Sequence, residues 1–203
     1  MYIETKRLII RSFKESDAET LYRIKTDGQV LEFIPDFLKR DAKPCEMKEF
    51  IREFNRIENE GDTDTWRCYA IENRHTGEVM GCLSFGKSSL LFEYELGWEM
   101  IGCYTRKGYA SEAASAFSEY FCERYGVDYL IVVMDTDNLA SYHTAVKSGF
   151  KLFEKRTVYD CSCNRYFDDY YYFRRYYSKC TLVEKYYGDS SYDGRSLKGG
   201  EES

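Results

Sequence analysis

Residues 92–113 read FEYELGWEMIGCYTRKGYASEA and predict a strand, a turn and the start of a helix in direct succession. Apolar and polar residues alternate up to Met100, which is typical of a half-buried strand. After Gly108 the apolar residues recur at helical spacing, and Gly126 gives a suitable C-terminal end. The stretch therefore predicts a short loop that joins a strand to a helix N-terminus.

The rest of the chain predicts further strands and helices around this unit. The alternation of apolar residues places strands at residues 2–11, 66–72, 79–85, 92–100, 129–134, 151–159 and 166–175. Amphipathic helices are predicted near residues 21–25, from Pro44 to about residue 57, from Gly108 to Gly126 and at residues 140–148. This order indicates one α/β (α+β) domain at residues 1–177, with a mixed central sheet of six to seven strands flanked by about four helices. The polar residues 178–203 predict a mobile tail.

The composition indicates a globular protein and argues against several other classes. Of the 203 residues, 43% are hydrophobic and 32% are charged, which is ordinary for a packed domain. The longest aliphatic run, residues 130–134, is far shorter than the about 20 apolar residues of a membrane helix. No apolar secretory segment follows Met1, so we expect a cytoplasmic protein. The net charge of -6 argues against broad binding of nucleic acid.

The cysteines and histidines do not predict a metal site. The eight cysteines are scattered without a Cys-x2-Cys pair, and neither His75 nor His143 lies at a zinc-ligand spacing from one of them. Cys161 and Cys163 form a close pair. They fit either a redox or metal pair or, as we prefer, a loop between two strands.

The loop before the helix at Gly108 has the features of an anion site. Backbone N–H groups and the helix dipole favour an anion at a helix N-terminus. Gly108 permits close approach of the backbone, and Arg106 and Lys107 add positive charge. A pyrophosphate would fit here, and an ordinary helix-initiating loop is the alternative interpretation.

A second polar pair precedes the last predicted helix. Asn138 and Ser141 follow the strand at residues 129–134, and both residue types suit helix capping. Gly149 then ends that helix, with Phe150 as its apolar contact.

Three blocks of the chain together resemble the GNAT superfamily of acyl-CoA-dependent N-acetyltransferases, and most of all its branch of ribosomal-protein alanine N-acetyltransferases. The blocks are residues 5–11 followed by Asp17, residues 97–113, and Asn138-x-x-Ser141 followed by Gly149-Phe150. Their order and spacing extend over about residues 2–175.

The resemblance implies an enzyme that transfers an acetyl group from acetyl-CoA, its co-substrate, to a primary amine without a metal. The amine would belong to a small molecule or to a peptide N-terminus. Backbone contacts with the pantetheine arm are implied at Met100 and Ile101, with an N–H near Met100 for the thioester oxygen. The other cofactor contacts that the resemblance implies are Thr105, Arg106, Lys107, Gly108, Tyr109, Ala110, Asn138 and Ser141.

Glu95 is the candidate general base, because it lies on the strand whose end would meet the cofactor. Glu93 and Glu99 fall on the same face and compete for this role, and all three carboxylates could instead be solvated or salt-bridged. Ser141 is the candidate general acid or a relay to one, with helix capping or a cofactor contact as alternatives.

The chain departs from the family pattern at four positions. Thr105 stands where glutamine or arginine is usual, and Arg106 stands where glycine is frequent. Gly102 replaces a frequent proline, and Ala145 stands where many members carry a tyrosine general acid.

Two other functions remain open. A non-catalytic acyl-CoA-binding regulatory module would use the same pocket without turnover. An RNA-associated protein would use the tyrosines and arginines within residues 159–192 for base stacking, although the acidic net charge disfavours it. We expect the acceptor pocket to be built by residues 30–40, the strand near Glu95 and the loop 159–166, and a homodimer is compatible with the sequence.

Overall fold

The computed structural model describes residues 1–34, 43–88, 91–160 and 165–179. The strands are β1 (Tyr2–Glu4), β2 (Leu8–Ser12), β3 (Arg67–Asn73), β4 (Val79–Lys87), β5 (Tyr94–Met100), β6 (Tyr129–Asp135), β7 (Lys151–Asp160) and β8 (Arg165–Tyr176). They form one mixed sheet in the order β1-β2-β3-β4-β5-β6-β8-β7. The β5–β6 pair is parallel, and the other neighbouring pairs are antiparallel.

Helices cover both faces of this sheet. They are α1 (Ala18–Lys25), α2 (Gly28–Leu31), α3 (Met47–Asn59), α4 (Tyr109–Tyr125) and α5 (Leu139–Lys147). Helices α1 and α3 contribute to one buried cluster with Cys68, Ala70 and Cys82 of the sheet. Helix α4 contributes to the other, where the Phe121 ring lies 4.2 Å from the Phe85 ring. The central strands are apolar on both faces because each face packs against a helix.

The predicted α/β class and single mixed sheet are confirmed, but the sheet has eight strands instead of six or seven. The predicted strand at residues 2–11 is two strands, because the Thr5 N–H donates to the Leu8 carbonyl and closes a tight turn. Strands β1 and β2 then pair antiparallel, with Ile3 opposite Ile10.

Two further boundaries differ from the prediction. Asp27 follows the helix predicted near residues 21–25 and caps a further short helix, α2, by accepting a hydrogen bond from the Gln29 N–H. The strand predicted at residues 92–100 begins at Tyr94, because Phe92 has a φ of 55° and a side chain that is 76% exposed. Apart from its first residues, the predicted tail at residues 178–203 lies outside the part of the chain that the structure describes.

A buried ion pair joins α1 to β5. The Lys25 Nζ lies 2.5 Å from Glu99 Oε2, and the two side chains are 1% and 4% exposed. Ser84 donates a hydrogen bond to the other carboxylate oxygen at 2.5 Å. Burial alone would lower the pKa of Lys25, but Cys68, Cys82 and Glu99 around it outweigh this effect and raise the pKa. Lys25 is therefore charged at neutral pH and neutralises Glu99 inside the protein.

We predict that Lys25→Met lowers the free energy of unfolding by about 3–5 kcal/mol, because it leaves Glu99 buried without a cation. The double variant Lys25→Met/Glu99→Leu should recover most of this loss, since no unpaired charge remains. Urea unfolding followed by circular dichroism measures both. Lys48→Met, at an exposed lysine of α3, is the matched control and should change the free energy by no more than about 0.5 kcal/mol. A single variant as stable as this control would contradict the prediction.

Candidate active site

The sheet opens into a wedge between β5 and β6. Strand β5 pairs with β4 along its whole length, from Lys87↔Tyr94 to Gly81↔Met100. On its other side, β5 pairs with β6 at one position, where Glu95 lies opposite Ile131. Strand β6 pairs in turn with β8 along its whole length. The two halves of the sheet therefore meet at Glu95 and separate toward the C-terminal end of β5.

The hydrogen bonds of Ile101 show which backbone groups of β5 face this wedge. The Ile101 N–H donates to the Met80 carbonyl at 3.0 Å, and the Ile101 carbonyl accepts from the Tyr104 N–H at 2.8 Å. Backbone groups alternate between the two sides of a strand, so those of Trp98 and Met100 point away from β4 and toward the wedge. Met100 thus has the orientation that the prediction requires. Ile101 does not, because its N–H and carbonyl are bonded within the protein.

The predicted anion loop lies where β5 leads into α4. A 3-10 turn, Gly102–Tyr104, follows β5, and Gly108 directly precedes α4. Arg106 and Gly108 have positive φ values of 60° and 75°, which fold the loop tightly against the helix end. The side chains of Arg106 and Lys107 are exposed, and those of Thr105, Tyr109 and Ala110 are half-buried.

Arg7, which the sequence analysis did not single out, sets the direction of the peptides in this loop. It donates to the carbonyls of Lys107 and Gly108 at 2.9 and 3.1 Å. In a planar trans peptide the N–H points opposite to the carbonyl. The N–H groups of Gly108 and Tyr109 therefore point away from Arg7. The sequence did point to this region, since Arg7 lies within residues 5–11, the first block that carries the family resemblance.

Glu112, in the first turn of α4, holds Arg7 in place. One carboxylate oxygen accepts from Arg7 Nε at 2.6 Å, and the other accepts from Thr5 Oγ1 at 2.6 Å and from the Arg7 N–H at 3.0 Å. Burial alone would raise the pKa of Glu112, but the hydrogen bonds from Thr5 and Arg7 outweigh it and lower the pKa. The charged carboxylate also suits the positive end of the helix dipole.

Glu95 lies at the apex of the wedge, at the single pair with β6. Burial raises the pKa of its carboxyl group to about 7, the charge of Glu93 acts in the same direction, and a hydrogen bond from Ser88 opposes them. At neutral pH a carboxyl group of this pKa is present in both protonation states. It can therefore accept a proton from a bound group and release it again.

The two competing carboxylates on this face are engaged in other interactions. Glu93 accepts hydrogen bonds from the hydroxyls of Tyr129 and Tyr172, both at 2.7 Å, and from Arg174 at 3.3 Å. Glu99 forms the ion pair with Lys25. Within the described ranges, Glu95 is thus the one of the three candidate glutamates whose carboxyl group forms no ion pair.

The polar residues at α5 occupy helix-capping positions. Asn138 is the N-cap, and its side-chain oxygen accepts from the Ser141 N–H at 3.0 Å. Ser141 is half-buried in the first turn, while His143 is exposed. Ala145 is fully buried, so the position where many family members carry a tyrosine packs into the core. His75 is exposed in a turn, and Cys161 and Cys163 lie outside the described residues.

In the described part of the tyrosine-rich segment, Tyr172 and Phe173 are buried, and the other tyrosines up to Tyr177 are half-buried. Tyr172 is fully buried, and Arg174 lies 4.0 Å from the Phe153 ring. Tyr171 makes an edge contact with Tyr142 of α5 at 5.3 Å. Tyr172 and Arg174 therefore lie on the face of the sheet that carries Glu93, whereas Tyr171 packs on the opposite face with α5.

No helix within the described ranges is both long and apolar enough to cross a membrane. No group of three or more histidine, cysteine, aspartate or glutamate side chains within them is arranged to hold a metal ion.

The fold is similar to that of solved acetyltransferases. A ribosomal-protein-S5-alanine acetyltransferase from Vibrio fischeri superposes with a TM-score of 0.70 at 13% identity, over 89% of this chain and 98% of that chain. The ribosomal L7/L12 α-N-protein acetyltransferase RimL, solved in complex with coenzyme A, superposes with a TM-score of 0.69 at 17% identity, over 87% and 98% of the two chains. At these identities the similarity establishes the fold.

The sequence comparisons establish the family. An uncharacterized N-acetyltransferase of Bacillus subtilis, YnaD, is 32% identical over 176 residues, which cover 85% of this chain and 95% of the relative. The model of the acetyltransferase (GNAT) domain matches residues 7–151, from Arg7 to the start of β7, and so includes the wedge and the anion loop. The chain therefore belongs to the GNAT family of acetyltransferases.

Proposed function

We propose that this acetyltransferase transfers an acetyl group from acetyl-CoA directly to a primary amine, with Glu95 as the general base. The acceptor would be a small amine or a peptide N-terminus. The observation that carries the proposal is the place of Glu95, a carboxyl group with a pKa of about 7 at the apex of the wedge. The membership in the GNAT family supports the use of acetyl-CoA.

The residues around the wedge fit the parts of this co-substrate. The backbone groups of Trp98 and Met100 would pair with the pantetheine arm, in the way that a further strand would pair with β5. The pyrophosphate would lie at the N–H groups of Gly108 and Tyr109, at the positive end of α4. The exposed cations of Arg106 and Lys107 and the neighbouring residues Thr105 and Ala110 complete this proposed contact set.

In the proposed reaction acetyl-CoA supplies an activated thioester carbonyl. Glu95 removes a proton from the ammonium group of the acceptor, so that the neutral nitrogen can form the N–C bond while the C–S bond breaks. The Met100 N–H stabilises the negative charge that develops on the carbonyl oxygen. The nitrogen loses a second proton as the amide forms, and Ser141, in the capped first turn of α5, would accept that proton while it donates its own hydroxyl proton to the leaving thiolate, so that CoA leaves as the thiol.

How much a general base lowers the activation free energy of the reaction depends on the pKa of the acceptor amine. An α-amine has a pKa of about 7.7–8.0, so its deprotonation at pH 7 costs about 1 kcal/mol. A lysine side chain, with a pKa of about 10.4, requires nearly 5 kcal/mol. Since the pKa of Glu95 is about 7, the carboxylate matches an α-amine more closely than it matches a lysine.

Other predictions from the sequence have no test in the structure. The cytoplasmic location, the homodimer and the acceptor loops at residues 30–40 and 159–166 stay predictions. The alternative of a non-catalytic acyl-CoA-binding module shares the proposed cofactor site, and the presence or absence of turnover separates the two.

Glu95→Gln should lower kcat/KM by about 10²–10⁴-fold in an assay of CoA thiol release with a panel of primary amines. In the natural protein, a base with a pKa of about 7 makes kcat/KM rise as the pH increases through 7, because the base must be deprotonated. The variant should lose the rise through pH 7 and keep only the rise at higher pH that follows deprotonation of the acceptor amine itself. Glu49→Gln, at an exposed glutamate of α3, should leave both the rate and the pH profile unchanged. A Glu95→Gln enzyme with the natural rate and pH profile would exclude Glu95 as the base.

Arg7→Met should weaken the binding of CoA by at least about tenfold, because the peptides of the anion loop are no longer held in one direction. Calorimetric titration measures the affinity, and Arg52→Met, at an exposed arginine of α3, is the matched control. If Arg7→Met binds CoA as tightly as Arg52→Met does, the role given to Arg7 is wrong.

In a thermal-shift assay of the natural protein, CoA or acetyl-CoA at 100 times Kd should add about 2.7 kcal/mol to the free energy of unfolding, while ATP should add none.

A further inference from the structure

One carboxylate links the connection between α1 and α2 to the start of the proposed cofactor loop. Asp27 Oδ1 accepts a hydrogen bond from the Gln29 N–H at 3.0 Å and so caps α2. Asp27 Oδ2 accepts a second one from the Gly102 N–H, also at 3.0 Å. Gly102 directly follows Ile101 and begins the 3-10 turn that leads into the anion loop.

Gly102 can donate this hydrogen bond because it carries a backbone N–H, which a proline would lack. Helix α2 also packs beside Gly102: a Cβ atom added there would lie 3.5 Å from the Gln29 side-chain amide and 3.6 Å from Asp27 Oδ2, both ordinary van der Waals distances. The link between Gly102 and α2 therefore depends on the N–H of Gly102 and the carboxylate of Asp27.

The C-terminal end of α1 is anchored to the sheet, whereas the short helix α2 is not stable without tertiary contacts. Lys25, two residues before Asp27, is tied to β5 through the buried ion pair with Glu99. Helix α2 has only four residues, too few to be stable without tertiary contacts, so its order depends on its cap and its neighbours. A change in the backbone at Gly102 would therefore act on α2 more than on α1.

We propose that Asp27 is a positioning residue that couples occupation of the cofactor site to the order of residues 28–34. The inference rests on the proposed cofactor site. When the wedge and the anion loop are occupied, the backbone from Met100 to Gly108 is held in one conformation. Through its N–H, Gly102 then holds Asp27, and Asp27 holds the first turn of α2. Residues 30–34 are the described part of the segment that the sequence assigns to the acceptor pocket, so the cofactor would order this part before the acceptor binds.

Hydrogen exchange of the full chain, measured by mass spectrometry with and without CoA, tests this coupling. The amides of Val30, Leu31 and Glu32 report on α2 because they donate to the backbone at Asp27 and Gly28. In the natural protein, CoA should slow exchange at least fivefold both in the anion loop, residues 103–112, and in residues 28–34.

Two variants remove the same hydrogen bond from its two ends. In Asp27→Ser the side chain still caps α2 but is too short to reach Gly102. Gly102→Pro removes the N–H and keeps the carboxylate; the preceding Ile101 has φ -60° and ψ 133°, a conformation that a following proline favours. In both variants CoA should still slow exchange in residues 103–112 but should no longer slow it in residues 28–34.

The other outcomes overturn the proposal in distinguishable ways. If CoA protects residues 28–34 equally in the natural protein and both variants, Asp27 does not transmit the effect. If both variants raise exchange in residues 28–34 by the same factor with and without CoA, Asp27 is only a structural cap. If CoA protects the anion loop of the natural protein but not residues 28–34, no coupling exists. If CoA leaves the anion loop unprotected in the natural protein, the proposed cofactor site itself fails, and the inference fails with it.

Discussion

The site depends on one constraint in the sheet, the single parallel pair Glu95↔Ile131 that joins two antiparallel halves. Parallel strands of this sheet need a long crossover, here α4, and the crossover enters its helix through the anion loop. The divergence of β5 and β6 beyond Glu95 leaves backbone groups of β5 without a strand partner toward β6. The same divergence begins at Glu95, whose side chain is half-buried. The wedge, the helix N-terminus and the position of Glu95 therefore follow from one change in strand pairing.

Charged residues on the two sides of the sheet hold this wedge in shape. On one side, Glu112 and Arg7 tie the β1–β2 turn to the start of α4 and set the direction of the loop peptides. On the other side, Lys25 and Glu99 tie α1 to β5. Each of these carboxylates is neutralised by a specific cation, whereas Glu95 accepts a hydrogen bond from the neutral Ser88. Among the described residues no cation pairs with Glu95, so burial raises the pKa of its carboxyl group to about 7.

Local patterns in the sequence predicted most elements, because each follows from periodicity or from a single residue type. The apolar residues at helical spacing after Pro44 predicted α3. Gly108 and Gly126 predicted the two ends of α4, where both adopt the left-handed conformation. The turn at Thr5 was missed because charged residues between apolar ones also fit one continuous strand. The burial of Lys25 was missed because a lysine near a helix end usually lies in solvent. Whether Met100 or Ile101 faces the wedge depends on the side of β5 to which each backbone N–H points. The pairing of β5 with β4 determines that side, and the sequence alone does not predict this pairing.

The most direct test of the account is a crystal structure of the chain with CoA bound. We expect the pantetheine arm to lie in the wedge beyond Glu95 and to form hydrogen bonds with the backbone of Trp98 or Met100. We also expect the pyrophosphate to contact the N–H groups of Gly108 and Tyr109. A complex in which β5 and β6 pair along their whole length, or in which CoA binds away from α4, would contradict the proposed cofactor site.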